Sequence, residues 1–182
     1  MDVHEEDVMG KLMFVSTMLV MLVSRDAMAQ GAGQAQQPAD TISLSGPRAG
    51  VTFLSPGVRN QISEDFSEDL GPVISQFGWQ FEKRFMSSDT GATAVTEWVL
   101  LFGGADQGVF VPSLTWLLGL RTMSGIEFAA GPNLSPAGMA VAIAAGVTLR
   151  AGNLNVPLNI AVVPSESGAR VSFLVGFNSK RR

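Results

Sequence analysis

Residues Met139–Arg150 read MAVAIAAGVTLR. In an extended chain, side chains point alternately to opposite faces. Met139, Val141, Ile143, Ala145, Val147 and Leu149 then share one face, and Ala140, Ala142, Ala144, Gly146, Thr148 and Arg150 the other. The first face is bulky and apolar; the second is small, with one charge. A soluble barrel would bury the bulky face and turn the other to water, which calls for Lys, Glu and Thr rather than three alanines and a glycine. Small residues with a few charges suit the narrow interior of an eight-stranded barrel. The bulky face then points outward into lipid, where a closed barrel leaves no backbone group without a partner.

The same alternation runs in both directions from this stretch. Downstream, Leu154, Val156, Leu158, Ile160 and Val162 oppose Asn155, Pro157, Asn159, Ala161 and Val163, and Val171, Phe173, Val175 and Phe177 oppose Arg170, Ser172, Leu174, Gly176 and Asn178. Upstream, Ile126, Phe128 and Ala130 oppose Glu127, Ala129 and Gly131, while Phe110, Leu114, Trp116, Leu118 and Leu120 oppose Ser113, Thr115, Gly119 and Arg121. Further upstream, Trp98, Leu100 and Phe102 oppose Glu97, Val99 and Leu101. Phe77, Trp79, Phe81 and Phe85 oppose Gln76, Gly78, Gln80, Glu82 and Arg84, and Ala49, Val51 and Phe53 oppose Arg48, Gly50 and Thr52. These are eight strands in sequence.

Two turns fix the phase independently. Gly152-Asn153 is a two-residue hairpin signal that pairs Ala151 with Leu154 and Arg150 with Asn155. Met123-Ser124-Gly125 pairs Thr122 with Ile126 and sets Arg121 beside Glu127, a favourable cross-strand charge pair. A slip of one residue would put polar against apolar in both hairpins. The other connections are also short: Ser87 to Ala92, Gly103 to Gly108, Ser135 to Gly138, and Pro164 to Gly168. That implies an antiparallel meander, since parallel strands need long crossovers. Pro112, Pro132 and Pro157 are expected near strand ends, because each removes a donor from the ladder.

One connection differs. Ser55–Gly71 reads SPGVRNQISEDFSEDLG, with Val58, Ile62, Phe66 and Leu70 recurring every fourth residue. That spacing predicts a short amphipathic helix, expected as a solvated helix packed on the barrel rim, with a plug or binding loop as the alternative.

The start of the chain reads as an address. Lys11, the twelve-residue run Leu12–Val23 and the small-x-small triplet Ala27-Met28-Ala29 have the form of a secretory signal peptide. Twelve residues of helix rise about 18 Å, short of a hydrocarbon core of roughly 30 Å. Asp2, Glu5, Glu6 and Asp7 make the first residues acidic, so Met9 is a candidate alternative start. The expected organisation is a signal peptide over 1–29, a flexible polar linker over 30–40 (QGAGQAQQPAD from Gln30) and a barrel over 41–182.

Composition narrows the function classes. The 182 residues are 46% hydrophobic and 15% charged, against roughly 25% charged in a typical globular protein. Mean hydropathy is +0.26. Few charges and many Val, Leu and Phe exclude a disordered or nucleic-acid-binding chain. The formal charge is −4, but five acids and two bases precede Gln30, so the remainder carries −1. With no cysteine and His4 as the lone histidine, Ser/His and Cys/His nucleophiles and a zinc site are not expected downstream of the address. The acidic group Glu64, Asp65, Glu68 and Asp69 lacks the glycine-punctuated loop of a dedicated calcium site. Neither an enzyme, a cofactor nor a metal is expected.

The inward positions collect Arg48, Glu82, Arg84, Glu97, Arg121, Glu127, Arg150 and Arg170. Charges in so narrow a space need partners. The plain expectation is an ion-pair network that fills the lumen and blocks flow, with Glu82 and Glu97 bridged by Arg84; the functional alternative is an anion-preferring path or a binding site. Val141, Ile143, Leu158, Ile160, Phe173 and Phe177 are the expected lipid-facing residues. Trp79, Trp98 and Trp116, with the phenylalanines, are expected to supply the interfacial aromatics in a chain without tyrosine.

Strand count, alternation and a last strand, Arg170–Asn178, with Phe177 near its end make Thr41–Asn178 resemble the small eight-stranded bacterial outer-membrane proteins, of the outer-membrane protein X and outer-membrane protein A transmembrane-domain type. The resemblance implies an all-β, eight-stranded antiparallel up-and-down transmembrane barrel with one short amphipathic helix in its first connection. It implies both termini in the periplasm, the helix outside the cell, outer-membrane lipid and the barrel assembly machinery as partners, and no nucleic acid. The function expected is structural or surface-interacting. A secreted or periplasmic soluble barrel holding a lipid or other apolar ligand is the alternative.

Overall fold

The computed structural model describes residues 43–66, 69–87, 92–151 and 153–179. The expected signal peptide and linker, Glu68, and the centre of the Ser87–Ala92 turn lie outside the described residues. The strands are β1 (Gly46–Leu54), β2 (Val73–Ser87), β3 (Thr93–Gly103), β4 (Val111–Arg121), β5 (Ile126–Ser135), β6 (Gly138–Ala151), β7 (Leu154–Ser165), β8 (Gly168–Gly176) and the two-residue β9 (Asn178–Ser179). One helix, α1 (Pro56–Phe66), joins β1 to β2, and a 3₁₀ turn, Ala105–Gln107, joins β3 to β4.

Each of β1 to β8 pairs antiparallel with its neighbour in sequence, and β8 pairs back onto β1 from Arg48↔Gly176 to Leu54↔Arg170. The sheet is therefore a closed eight-stranded barrel. The registers written in the turns are the registers found: Arg121↔Glu127 across β4–β5, and Arg150↔Asn155 with Ala151↔Leu154 across β6–β7.

Two prolines depart from expectation. Pro112 is the second residue of β4, but Pro132 and Pro157 lie inside β5 and β7. The ladder yields where they fall. The β4–β5 pairing runs Leu114↔Leu134 and Thr115↔Asn133, then resumes at Leu118↔Ala130, passing over the stretch that faces Pro132. The β7–β8 pairing stops at Leu158↔Val175, one step from Pro157, and continues beyond it as Asn155↔Asn178 with β9. The last strand therefore keeps one register across the interruption.

The barrel has two unlike ends. Call terminal the end where β1 begins and β8 finishes, and helix end the other. At the helix end, the α1 residues Val58 and Ile62 are fully buried against Leu54, Leu70, Ile74, Val109, Val111 and Ala137, with Phe66 at the edge. Leu54, Ile74 and Val111 come from the inner faces of β1, β2 and β4, so the helix packs over the mouth of the barrel. A seam fixes it there. Ser55 N–H donates to the Ala169 carbonyl, Ala169 N–H to Ser55 Oγ, and Ser167 Oγ–H to Gln61 Oε1. The periodicity placed the helix, which ends at Phe66 with Leu70 beyond it, and the apolar stripe is the part that packs on the residues at the mouth.

Candidate functional site

The strands of a closed barrel present two faces, a lumen and an outer wall. The lumen is built by every second residue, and its contents are sorted along the axis.

Toward the terminal end sits an ion-pair cluster from four consecutive strands: Glu82 (β2), Glu97 (β3), Arg121 (β4) and Glu127 (β5). Register sets Glu82 directly opposite Glu97, an arrangement that is unfavourable unless a cation joins it. Arg121 is that cation. Its Nη1 and Nη2 take both oxygens of Glu82 at 2.9 and 2.5 Å, and its Nε donates to Glu127 Oε2 at 2.6 Å. Nη2 also lies 3.5 Å from Glu97 Oε1 and against Glu127. Arg84 is secondary, with its Nε 3.5 Å from Glu82 Oε1. The planar, forked guanidinium suits such a two-oxygen grip.

Behind the cluster, Arg48 is 2% exposed. Its Nε donates to Gln80 Oε1 at 2.9 Å, and Gln80 Nε2 donates to Glu97 Oε1 at 2.6 Å. The other guanidinium nitrogens donate to the carbonyls of Leu44 and Pro47. Gly176 makes room for this: a Cβ there would collide with the Arg48 guanidinium. Glu82, Glu97 and Glu127 hold their ligating oxygens within 4.8 Å of one another, the geometry of a cation site, and the Arg121 guanidinium occupies its centre.

Toward the helix end the lumen carries polar side chains, with no carboxylate among the described residues. Arg170 donates to Ser135 Oγ at 2.6 Å and to Asn133 Oδ1 at 2.7 Å. Asn133 Nδ2 donates to Ser113 Oγ and Thr115 Oγ1, both at 2.8 Å. Thr52 Oγ1 donates to Gln76 Oε1 at 2.7 Å and is 2.7 Å from Ser172 Oγ. Beside these polar residues, Val99, Leu101, Leu117, Ala129, Ala142, Val163 and Leu174 pack together along a cavity of about 60 Å³, with Leu101 opposite Ser113 and Val163 opposite Arg170.

The eight expected lumen charges are thus not one network. Arg48, Glu82, Arg84, Glu97, Arg121 and Glu127 come together; Arg170 stands apart near the helix end. Arg150 is exposed and takes no part in the Glu82–Glu97–Glu127 cluster. It occupies the last inner-phase position of β6, beyond the packed interior. The cluster does not fill the lumen either, since the cavity remains. Gln76, Gln80, Asn133 and Asn155 are buried lumen residues that the charge pattern did not single out. Asn133 carried one usable signal, its even spacing from Glu127 past Pro132.

The outer wall is the inverse. Among the described residues, outward positions along the strands carry one charged side chain, Lys83. Val141, Ile143, Leu158, Ile160, Phe173 and Phe177 all point away from the lumen and are exposed, Ile143 by 58%. Trp98 and Trp116 stack at 6.0 Å, and Trp116 Nε1 donates to Thr96 Oγ1 at 2.8 Å. With Trp79 they form one mid-strand group on β2–β4 rather than rings at the rims. Six phenylalanines take the strand ends, Phe53, Phe102 and Phe110 toward the helix end and Phe85, Phe128 and Phe177 toward the terminal end, while Phe77, Phe81 and Phe173 lie further inside β2 and β8.

No family model, curated protein or solved structure matches this chain. What stands is an eight-stranded antiparallel closed barrel with a buried Arg121–glutamate network.

Proposed function

We propose that this protein is a non-enzymatic barrel embedded in a bacterial outer membrane, with a structural or surface-interaction role and a lumen closed to bulk flow. The observation that carries this reading is the outer wall. Large apolar side chains are exposed on seven of the eight barrel strands, among them Phe53, Phe81, Leu120, Phe128, Ile143, Ile160 and Phe173; on β3 the outward Trp98, Leu100 and Phe102 are half-buried, and Lys83 is the single outward charge on the strands among the described residues. A soluble monomer rarely exposes apolar patches beyond a few hundred Å². In lipid the same wall is at home, because every barrel strand is paired on both sides. Strands of nine to fifteen residues are long enough to cross a bilayer when tilted.

The soluble alternative needs an apolar chamber inside. The lumen cavity is about 60 Å³ and is edged by Gln76, Glu97, Asn133 and Arg170, which suits neither an acyl chain nor a ring system. The closing strand with Phe177 fits the barrel assembly machinery as a partner.

Expression of the full chain in a Gram-negative host, followed by fractionation and by gels of boiled and unboiled samples, tests this. Outer-membrane recovery with a heat-dependent mobility shift is expected. Recovery as a soluble protein would overturn the reading.

A further inference from the structure

Four buried or half-buried cations, Arg48, Arg84, Arg121 and Arg170, share the lumen with three carboxylates, Glu82, Glu97 and Glu127. Among the described residues the lumen is one positive charge in excess. The excess is localised, because the three carboxylates converge on Arg121 and, through Gln80, on Arg48. Arg170 is 7% exposed and meets two neutral oxygens, Asn133 Oδ1 and Ser135 Oγ; its Nε has no hydrogen-bond partner. Among the described residues no carboxylate pairs with it. A buried cation without a counter-charge is costly.

Arg170 lines the cavity, and so do several spare donors. Gln76 is 8% exposed. Its Oε1 accepts from Thr52, while its Nε2 makes no hydrogen bond among the described residues. Ser113 and Thr115 each accept from Asn133 Nδ2, which leaves both hydroxyl protons free to donate. Glu97 and Glu127 also border the cavity, from the terminal side, where Arg121 engages them. The Arg170 side therefore offers one cation, an amide and two hydroxyls. The volume of about 60 Å³ holds a few water-sized particles at roughly 10–15 Å³ each.

We propose that the barrel lumen is a binding site for a small inorganic monoanion of halide size, held beside Arg170 by Gln76, Ser113 and Thr115. The site lies wholly inside the barrel, so it does not depend on what surrounds the outer wall. Waters alone would satisfy the donors but leave the charge uncompensated.

The test is refolding of the full chain into detergent micelles at constant ionic strength in sodium chloride, sodium bromide or sodium gluconate, followed by thermal unfolding. The expected result is a midpoint that rises saturably with chloride or bromide and stays flat with gluconate, because a ligand that binds only the folded state raises its stability. Arg170→Met is expected to abolish the halide dependence. Equal midpoints in all three salts would overturn the proposal and leave water in the cavity. Should Arg170→Met not fold, crystals of the unaltered chain grown in bromide decide the matter. An anomalous peak in the cavity beside Arg170 supports the site, and bromide found only on the surface overturns it. A chain that proves soluble answers the same test in buffer without detergent, so failure of the membrane reading and failure of this one remain distinct.

Discussion

Arg121 does the work of a metal ion. Three carboxylates from adjacent strands converge on it with oxygens within 4.8 Å of one another, and removing one member of a buried ion cluster leaves the rest uncompensated. Arg121→Met is expected to cost about 3–5 kcal/mol in folding stability, read from urea unfolding of the refolded barrel. The same spacing suits oxygens around calcium, at roughly 2.3–2.6 Å from the ion. Millimolar calcium should therefore restore part of the loss in Arg121→Met and none of it in the unaltered chain; a variant indifferent to calcium would deny that the triad is held rigidly. The Arg121–Glu127 half of this cluster was legible in the sequence, because a three-residue turn dictates that pair. The grip on Glu82 was not. It joins β4 to β2 past an intervening strand, and period-two reading assigns a face but no partner across the lumen. Asn133 was missed for a related reason: Pro132 suggested the end of a strand that runs on to Ser135.

At the scale of elements, the connections at the helix end are fastened by side chains. Gln107 of the 3₁₀ turn accepts from Gly71 N–H at 2.6 Å and donates to the Val73 carbonyl at 2.6 Å, while Asp106 Oδ1 accepts from Ser75 N–H at 3.1 Å and Ser75 Oγ–H at 2.5 Å. The Ser75 hydroxyl, more than any other contact, holds the Asp106 carboxyl below the usual carboxylate range. A depressed folded-state pKa stabilises above the ordinary range, and that contribution is lost as pH falls through the depressed value. Asp106→Asn keeps the shape and an acceptor but removes the charge, so the small stability gap between the two proteins should close on acidification; a gap constant in pH would assign it to packing. The helix makes a larger contribution. Ile62 is fully buried in the cluster at the mouth, and Ile62→Ala is expected to cost about 2–5 kcal/mol, against little for the exposed neighbour Asn60→Ala. The i, i+4 spacing disclosed this helix in advance. It could not disclose that the stripe would meet Leu54, Ile74 and Val111, which are brought together only by the curl of the sheet.

For the molecule as a whole, closure separates two chemistries that lie one residue apart along every strand. Polar and charged residues are gathered where water is scarce, and apolar ones are displayed where a soluble protein would be wet. That inversion is what the proposed membrane setting accounts for. Ile143 is the position to test: it is 58% exposed on the outer wall, sixth of fourteen residues in β6, and pairs with Ala130 on one side and Val162 on the other. If lipid surrounds it near the bilayer midplane, Ile143→Arg places a charge in hydrocarbon and costs about 2–4 kcal/mol, while the same change close to the interface costs about 0–1 kcal/mol. Leu149, near the terminal end of the same face and 52% exposed, supplies that second position. Unfolding of both variants from lipid vesicles should therefore show a large loss for Ile143→Arg and a small one for Leu149→Arg. In water neither change would matter, since both side chains already lie open. Two neutral substitutions would thus place the apolar wall in an aqueous setting and return the question to what else covers it.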